Sequence, residues 1–316
     1  MTDFISVFNF SLSITLPIFF IIFLGLILNK LRVINDNFID VSSKLVFNIT
    51  LPALLFISIL KTDLSSSVNF SLVLFGVIAV FVTYLLFEIM ARYLVTSKQD
   101  RGVVVQGAFR SNMGIIGLAY CVNAYGDAVF AVVSLYLAGV TILFNILSVV
   151  TLNHSLNKDV NLLNTIKSIG KNPLILSILA ALLVSSAAIK LPETLIKTGT
   201  YFAQMTLPLA LLCAGATLNF QAIKKGMNLS ILASVGKLII IPFILTFSAF
   251  LFGFRGIELG VIFLMSSAPT ASVSYIVVRS MGGNSGLAAN IIVLTTLMSL
   301  FSTSIGVTFL RSFSLI

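Results

Sequence analysis

Apolar residues dominate this chain in long runs, and the polar positions between them are few and bunched. A bilayer's hydrocarbon core takes about 20 apolar residues as helix, and runs of that length recur along the whole sequence. The pattern predicts ten helical spans, at 11–29, 41–60, 70–94, 102–124, 128–150, 172–189, 195–218, 229–253, 257–278 and 286–310. The longest polar stretch, 151–172, separates five spans from five. The predicted fold class is an all-α polytopic membrane protein. Two spans break their own pattern near the middle. The fourth carries RSNMGIIGL (110–118) and the ninth carries SSAPTASVSY (266–275).

The two halves resemble each other. ITLPALL (49–55) matches MTLPLAL (205–211), and LPIFFIIFLGLIL (16–28) matches NPLILSILAALLV (172–184). Pro52 to Pro208 and Pro17 to Pro173 give the same offset, 156 residues. Because each half has five spans, the second half must enter the membrane from the opposite side. That is an inverted repeat, a plan common among secondary transporters. Applied to Asn112, the offset falls on Ala268, beside Pro269. Proline removes a backbone donor and clashes with the preceding turn, and asparagine and glycine tolerate a broken turn. Such a break persists in a bilayer only where protein or a water-filled cavity satisfies the freed backbone groups. Paired breaks in corresponding spans point to a binding site at the membrane midplane. The expectation is therefore a 5+5 inverted repeat with broken, crossing fourth and ninth helices.

Composition agrees: 58% hydrophobic, 9% charged, mean hydropathy +1.12, against about 25% charged in soluble domains. The net charge of +9 reads as basic inner loops rather than nucleic-acid binding. With both termini outside, the inner loops hold twelve Lys and Arg residues (Lys30, Arg32, Lys44, Arg92, Lys98, Arg101, Lys158, Lys167, Lys171, Lys224, Lys225, Arg279). The outer side then holds five (Lys61, Lys190, Lys197, Arg255, Arg311). MTDFISVFNF has no basic residue, which argues against a cleaved signal peptide. Cys121 and Cys213 lie in apolar runs and read as buried thiols.

Three charges lie inside spans: Glu88, Arg110 and Lys237. Arg110 and Lys237 each follow the inner start of a span by eight residues, about 12 Å in depth. Unpaired charges at that depth cost several kcal/mol. The expectation is that Glu88 pairs with one of them, leaving a net cation near the crossover to balance an anionic substrate. The fifth span has no carboxylate and the ninth has only Glu258 at its outer end, so cation exchange has little support.

FRSNMGIIGL, the TLP of the second span, TLPLALLCAGATLNF in the seventh and SSAPTASVSY in the ninth together resemble the auxin efflux carrier family of membrane transporters. The resemblance covers essentially the whole chain. It implies a fold similar to NhaA-type antiporters and bile acid symporters. It also implies a scaffold (11–60 and 172–218), a transport domain (70–150 and 229–310) and a homodimer formed through the scaffold. The implied cargo is a small organic anion such as malate or a related carboxylate. The short central loop lacks the hydrophilic domain of the plant carriers, which argues against auxin. Asn112 matches the asparagine of the fourth-span crossover and Pro269 the proline of the ninth. Lys237 resembles a lysine found before the second crossover helix in NhaA-like folds. Ser111, Met113, Gly114, Ser267 and Thr270 complete the expected substrate site, with Asn48 and Gln204 facing it from the scaffold.

No cofactor or metal is expected. A proton or sodium ion as coupling partner stays open, and a sodium-coupled symporter of the bile-acid type is the nearer alternative. An intramembrane enzyme has little support: His154 is the single histidine and reads as a loop residue, no HExxH pair occurs, and Asp127 and Asp159 are loop residues.

Overall fold

The computed structural model describes residues 2–61, 70–126, 129–156, 173–187, 189, 191–218 and 227–316. Helix occupies each of the ten apolar segments. The elements are α1 (Thr2–Lys30), α2 (Asp36–Leu45), α3 (Leu51–Lys61), α4 (Phe70–Leu94), α5 (Lys98–Phe109), α6 (Leu118–Tyr125) and α7 (Phe130–Leu156). They continue with α8 (Pro173–Ser186), α9 (Glu193–Ala216), α10 (Met227–Val235), α11 (Ile241–Leu251), α12 (Gly256–Ser267), α13 (Val273–Ser280) and α14 (Ser285–Ser312). Among the described residues, six helices are long and apolar enough to cross a membrane: Phe8–Lys30, Asp36–Leu60, Phe70–Leu94, Val132–Leu156, Met227–Leu251 and Ser285–Ser312. Shorter apolar helices run over Met113–Tyr125, Pro173–Ser186 and Gly256–Ser267.

Proline shapes two of the long spans. Before Pro52 and before Pro242 the helix widens into one π turn, Val46–Thr50 and Gly236–Ile240. The N–H of Leu51 bonds to Val46 O, and that of Ile241 to Gly236 O, each five residues back. The proline ring would clash with the carbonyl four residues back, and the wider turn moves that carbonyl away. The second π turn carries Lys237. Of the two prolines at the 156-residue offset, Pro17 lies inside α1, and Pro173 is the first described residue of α8.

The helices pack in two groups. α1, α2–α3, α8 and α9 pack on one another, and α4, α5–α6, α7, α10–α11, α12–α13 and α14 form the second group, with α1 reaching α14 and α6 and with α3 and α8 reaching α7. Every residue from Gly102 to Phe109 on α5 and from Leu259 to Ser267 on α12 is buried. A helix buried on all faces belongs to the centre of the molecule. Its periphery is apolar: Phe20, Leu74, Leu183, Phe243 and Phe301 are exposed. Faces of that kind suit lipid rather than water.

The predicted loop at 151–172 begins later than expected, since α7 continues through Leu156 and makes His154 an exposed helical residue. The rest of that stretch, with Lys158, Asp159, Lys167 and Lys171, lies outside the described residues, as do Asp127, Lys190, Lys224 and Lys225. Cys121 and Cys213 are buried free thiols.

α1 and α9 approach each other at glycines. A Cβ on Gly25 would strike the Leu212 carbonyl, and one on Gly215 would strike that of Ile22. Backbone cannot step aside as a side chain can. Gly25→Ala and Gly215→Ala are each expected to cost about 1–3 kcal/mol through overpacking and to lower the melting temperature of purified protein. Gly286→Ala, whose Cβ would lie 3.5 Å from its nearest neighbour, Asn284 Oδ1, is the control and should leave it unchanged or raised. Equal melting temperatures for all three would remove the close approach from the account.

Candidate functional site

The fourth apolar segment breaks where RSN lies. α5 ends at Phe109, Arg110 and Asn112 adopt non-helical backbone (ψ 95° and 58°), and helix resumes at Met113. In the ninth, α12 ends at Ser267 and Ala268 turns to φ −57°, ψ 144°, the extended conformation that a following proline imposes. The two breaks meet. Asn112 N–H donates to Pro269 O at 2.7 Å and Ala271 N–H donates to Arg110 O at 3.0 Å. These bonds flank an antiparallel bridge between Ser111 and Thr270, the one strand-like pairing among the described residues.

Each freed carbonyl needs a donor. At the end of α12, Ser111 Oγ–H is shared between Met265 O (2.7 Å) and Ala268 O (3.0 Å). Lys237 Nζ donates to Ser266 O at 2.6 Å, and Thr303 Oγ1 to Ser267 O at 3.5 Å. At the end of α5, Gly107 O accepts from Thr270 Oγ1 at 2.6 Å. Thr270 N–H donates to Thr295 Oγ1 at 3.1 Å, which ties the crossing to α14.

The predicted site residues therefore separate by task. The hydroxyl hydrogens of Ser111 and Thr270 point at backbone carbonyls across the break, and that of Ser267 at Leu264 O (3.3 Å). Those of Ser111 and Thr270 hold the crossing, whereas that of Ser267 stays within α12. The Asn112 side-chain amide has no protein partner among the described residues, and the residue is 7% exposed. The N–H groups of Met113, Gly114 and Ile115 precede the first bonds of the resumed helix, which run from Ile116 and Gly117 to Asn112 O. Asn48 and Gln204 are exposed, and neither bonds to the crossing; the Asn48 amide turns back to Lys44 O at 2.8 Å.

The expected ion pair does not form. Glu88 accepts from the Thr151 hydroxyl and lines a small cleft with Arg92, Lys98, Arg101 and His154. Arg110, 7% exposed, donates instead to Ser148 Oγ and Asn145 Oδ1, both at 2.8 Å. Lys237 is 0% exposed. Among the described residues no carboxylate lies within ion-pair distance of Arg110 or Lys237. Equal depth was read as proximity, but depth does not say which way a side chain faces.

Sequence reasoning missed Asn145 and Ser148. Their spacing of three on an otherwise apolar helix marks one polar face, and that signal was available. It also missed Gln106, one turn before Arg110 on the same face of α5. Gln106 is 1% exposed and both polar atoms of its amide lack a protein partner. A groove of about 390 Å³ lies apart from the crossing, between α3, α8 and α9, lined by Pro52, Phe56, Leu195 and Phe202 among others.

A helix pair broken at mid-span, crossing through backbone bonds and capped by hydroxyls, is carrier architecture. Comparison with known proteins agrees: the model of the membrane transport protein family matches at residues 11–162 and again at 160–307. The chain belongs to this family. It is the auxin efflux carrier family that the four sequence motifs resemble. The chain is also 23% identical over 302 residues to an uncharacterized transporter of Methanothermobacter thermautotrophicus, covering 94% of this chain and 97% of that protein. It is 23% identical over 297 residues to the uncharacterized transporter MJ1031 of Methanocaldococcus jannaschii, covering 92% and 95%. This member of the membrane transport protein family is a multi-pass membrane transporter, not an enzyme.

Thr270→Val keeps the side chain's shape and removes the hydroxyl that caps Gly107 O. A buried carbonyl left without its donor costs about 1–3 kcal/mol. The expected result is a lower melting temperature for Thr270→Val than for wild type in detergent, with Asn112→Ala close to wild type. The reverse order would mean that the hydroxyl does not hold the crossing.

Proposed function

We propose that the protein is a secondary carrier for a small organic anion, a carboxylate such as malate or a related acid, in the cytoplasmic membrane. It works by alternating access around the crossing of spans four and nine. The observation that carries this reading is one of sign. Two buried cations, Arg110 and Lys237, have no carboxylate partner among the described residues. The groups left uncommitted at the crossing, the Asn112 amide and the N–H groups of Met113 and Gly114, include several hydrogen-bond donors. Desolvated positive charge is costly, and a bound anion offsets that cost. In this reading the substrate carboxylate accepts from Asn112 and from the helix N-terminus at Met113, where the partial positive charge of the helix end adds to the attraction.

The same reading assigns ten membrane crossings in a 5+5 inverted repeat, with both termini outside. The antiparallel Ser111–Thr270 bridge supports entry of spans four and nine from opposite faces. The excess of basic residues in the inner loops supports the orientation. Residues 11–60 and 172–218 form the scaffold, residues 70–150 and 229–310 the moving body, and Leu51 of the scaffold reaches Gly114 at the crossing. A homodimer forms through the scaffold.

Purified protein heated with a panel of mono- and dicarboxylates identifies the substrate, because a ligand at a hundredfold excess over its Kd adds about 2.7 kcal/mol of apparent stability. Asn112→Ala then removes one charge-assisted hydrogen bond, about 1.5–3 kcal/mol. Affinity for the stabilising carboxylate should fall tenfold to a hundredfold while the melting temperature of the empty protein holds. Unchanged affinity would remove Asn112 from the site, and a panel without any stabilising acid would remove the anion. For topology, single cysteines placed between 157 and 172 should label only from the inner face; labelling from outside would invert the orientation.

A further inference from the structure

The buried end of α12 is a site for a positive charge. Its last carbonyls have no N–H partner inside the helix, and the end of a helix carries about half a negative charge. Neutral hydroxyls cap three of them: Ser111 for Met265 O and Ala268 O, and Thr303 for Ser267 O. Ser266 O alone meets a full charge, the Lys237 ammonium at 2.6 Å. Neither residue reaches solvent: Lys237 is 0% exposed and Ser266 1%.

Among the described residues, the charged side chains on the elements around Lys237 are engaged elsewhere or lie at the far ends of those elements. The π turn of Lys237 packs against α5, α10, α11, α12 and α14, and Phe87 of α4 lies against Gly236. Glu88 of α4 accepts from the Thr151 hydroxyl, and Arg110 at the end of α5 donates to Ser148 and Asn145. α10 and α11 carry no charged residue. Glu258 is in the first turn of α12, eight residues and about 12 Å of helix from Ser266. Lys98, Asp100 and Arg101 are at the start of α5, and Arg311 is at the far end of α14. The turn is shaped to deliver the ammonium. Gly236 lets the Phe87 ring and Ala108 pack against the backbone beside Lys237, and Pro242 widens the helix there.

Carriers built on broken helices use half-helix C-terminal ends and unwound carbonyls to hold their coupling cation. Here a covalent side chain holds one in place. We infer that Lys237 is a tethered cation, occupying the end of α12 where a mobile sodium ion would otherwise bind, so that this carrier binds and moves its substrate without sodium. The inference rests on the carrier reading above and deepens it. It also separates the protein from a sodium-coupled symporter built on the same frame.

The test needs no substrate. The melting temperature of purified full-length protein is measured in sodium, potassium and choline chloride, with no organic anion present. Wild type should melt at the same temperature in all three. Lys237→Ala should melt several degrees lower in choline and recover in sodium chloride or propylammonium chloride, since propylammonium replaces the deleted atoms. Wild type should show no such response. A sodium-specific rise in wild type, or an equal response of wild type and variant to every cation, would overturn the proposal. Should Lys237→Ala fail to fold, uptake of the stabilising carboxylate by wild type in proteoliposomes decides it. Equal initial rates in sodium and choline support the tethered cation, and a severalfold loss in choline overturns it. Failure of the anion reading shows separately, as absence of stabilisation by any carboxylate in either salt.

Discussion

Backbone groups freed inside a membrane must find partners, and the centre of this protein is organised by that requirement. Water is not there to bond them, and each orphan costs several kcal/mol. Two helices are interrupted at mid-span, and each interruption strands carbonyls on one side and N–H groups on the other. The carbonyls are met by Ser111, Thr270, Thr303 and Lys237, and the two breaks bond to each other through Asn112 and Ala271. The N–H groups at Met113 and Gly114 precede the first bonds of the resumed helix, and in the proposed function they are the groups that meet the substrate.

That division gives the small polar residues of RSNMGIIGL and SSAPTASVSY distinct work. Pro269 ends one helix by removing a donor and forcing Ala268 extended. Ser111 and Thr270 reach across and close the gap from opposite sides, each capping the other helix. Asn112 contributes its backbone to the crossing and keeps its side chain uncommitted. Its two sets of atoms are thus separate, so the proposed contact with substrate would not compete with the crossing.

The helical segments and both breaks were legible in the sequence because the signals are one-dimensional: run length, a proline, an asparagine beside glycines. Direction around a helix axis is weaker in a chain this apolar, since lipid-facing and core-facing positions carry the same residue types. That is why Glu88 is expected beside Arg110 or Lys237 when it faces Thr151 and the cleft with Arg92, Lys98, Arg101 and His154. It is also why Asn48 and Gln204 were aimed at a crossing to which neither bonds. The hydroxyl hydrogens of Ser111, Ser267 and Thr270 go to backbone carbonyls, and residue type does not reveal which acceptor a short side chain meets first.

Arg110 and Lys237 belong to the same packed group of helices and lack carboxylate partners among the described residues. A transmembrane voltage acts on any charge that changes depth, by about 2.3 kcal/mol per charge for each 100 mV crossed in full. If that group is the moving body, an interior-negative potential pulls the empty form towards the cytoplasmic face. Binding an anion cancels part of that pull. If, as proposed, no ion accompanies the cargo, the voltage then works on the return of the unloaded carrier more than on the passage of the loaded one, and membrane energisation would set the turnover rate.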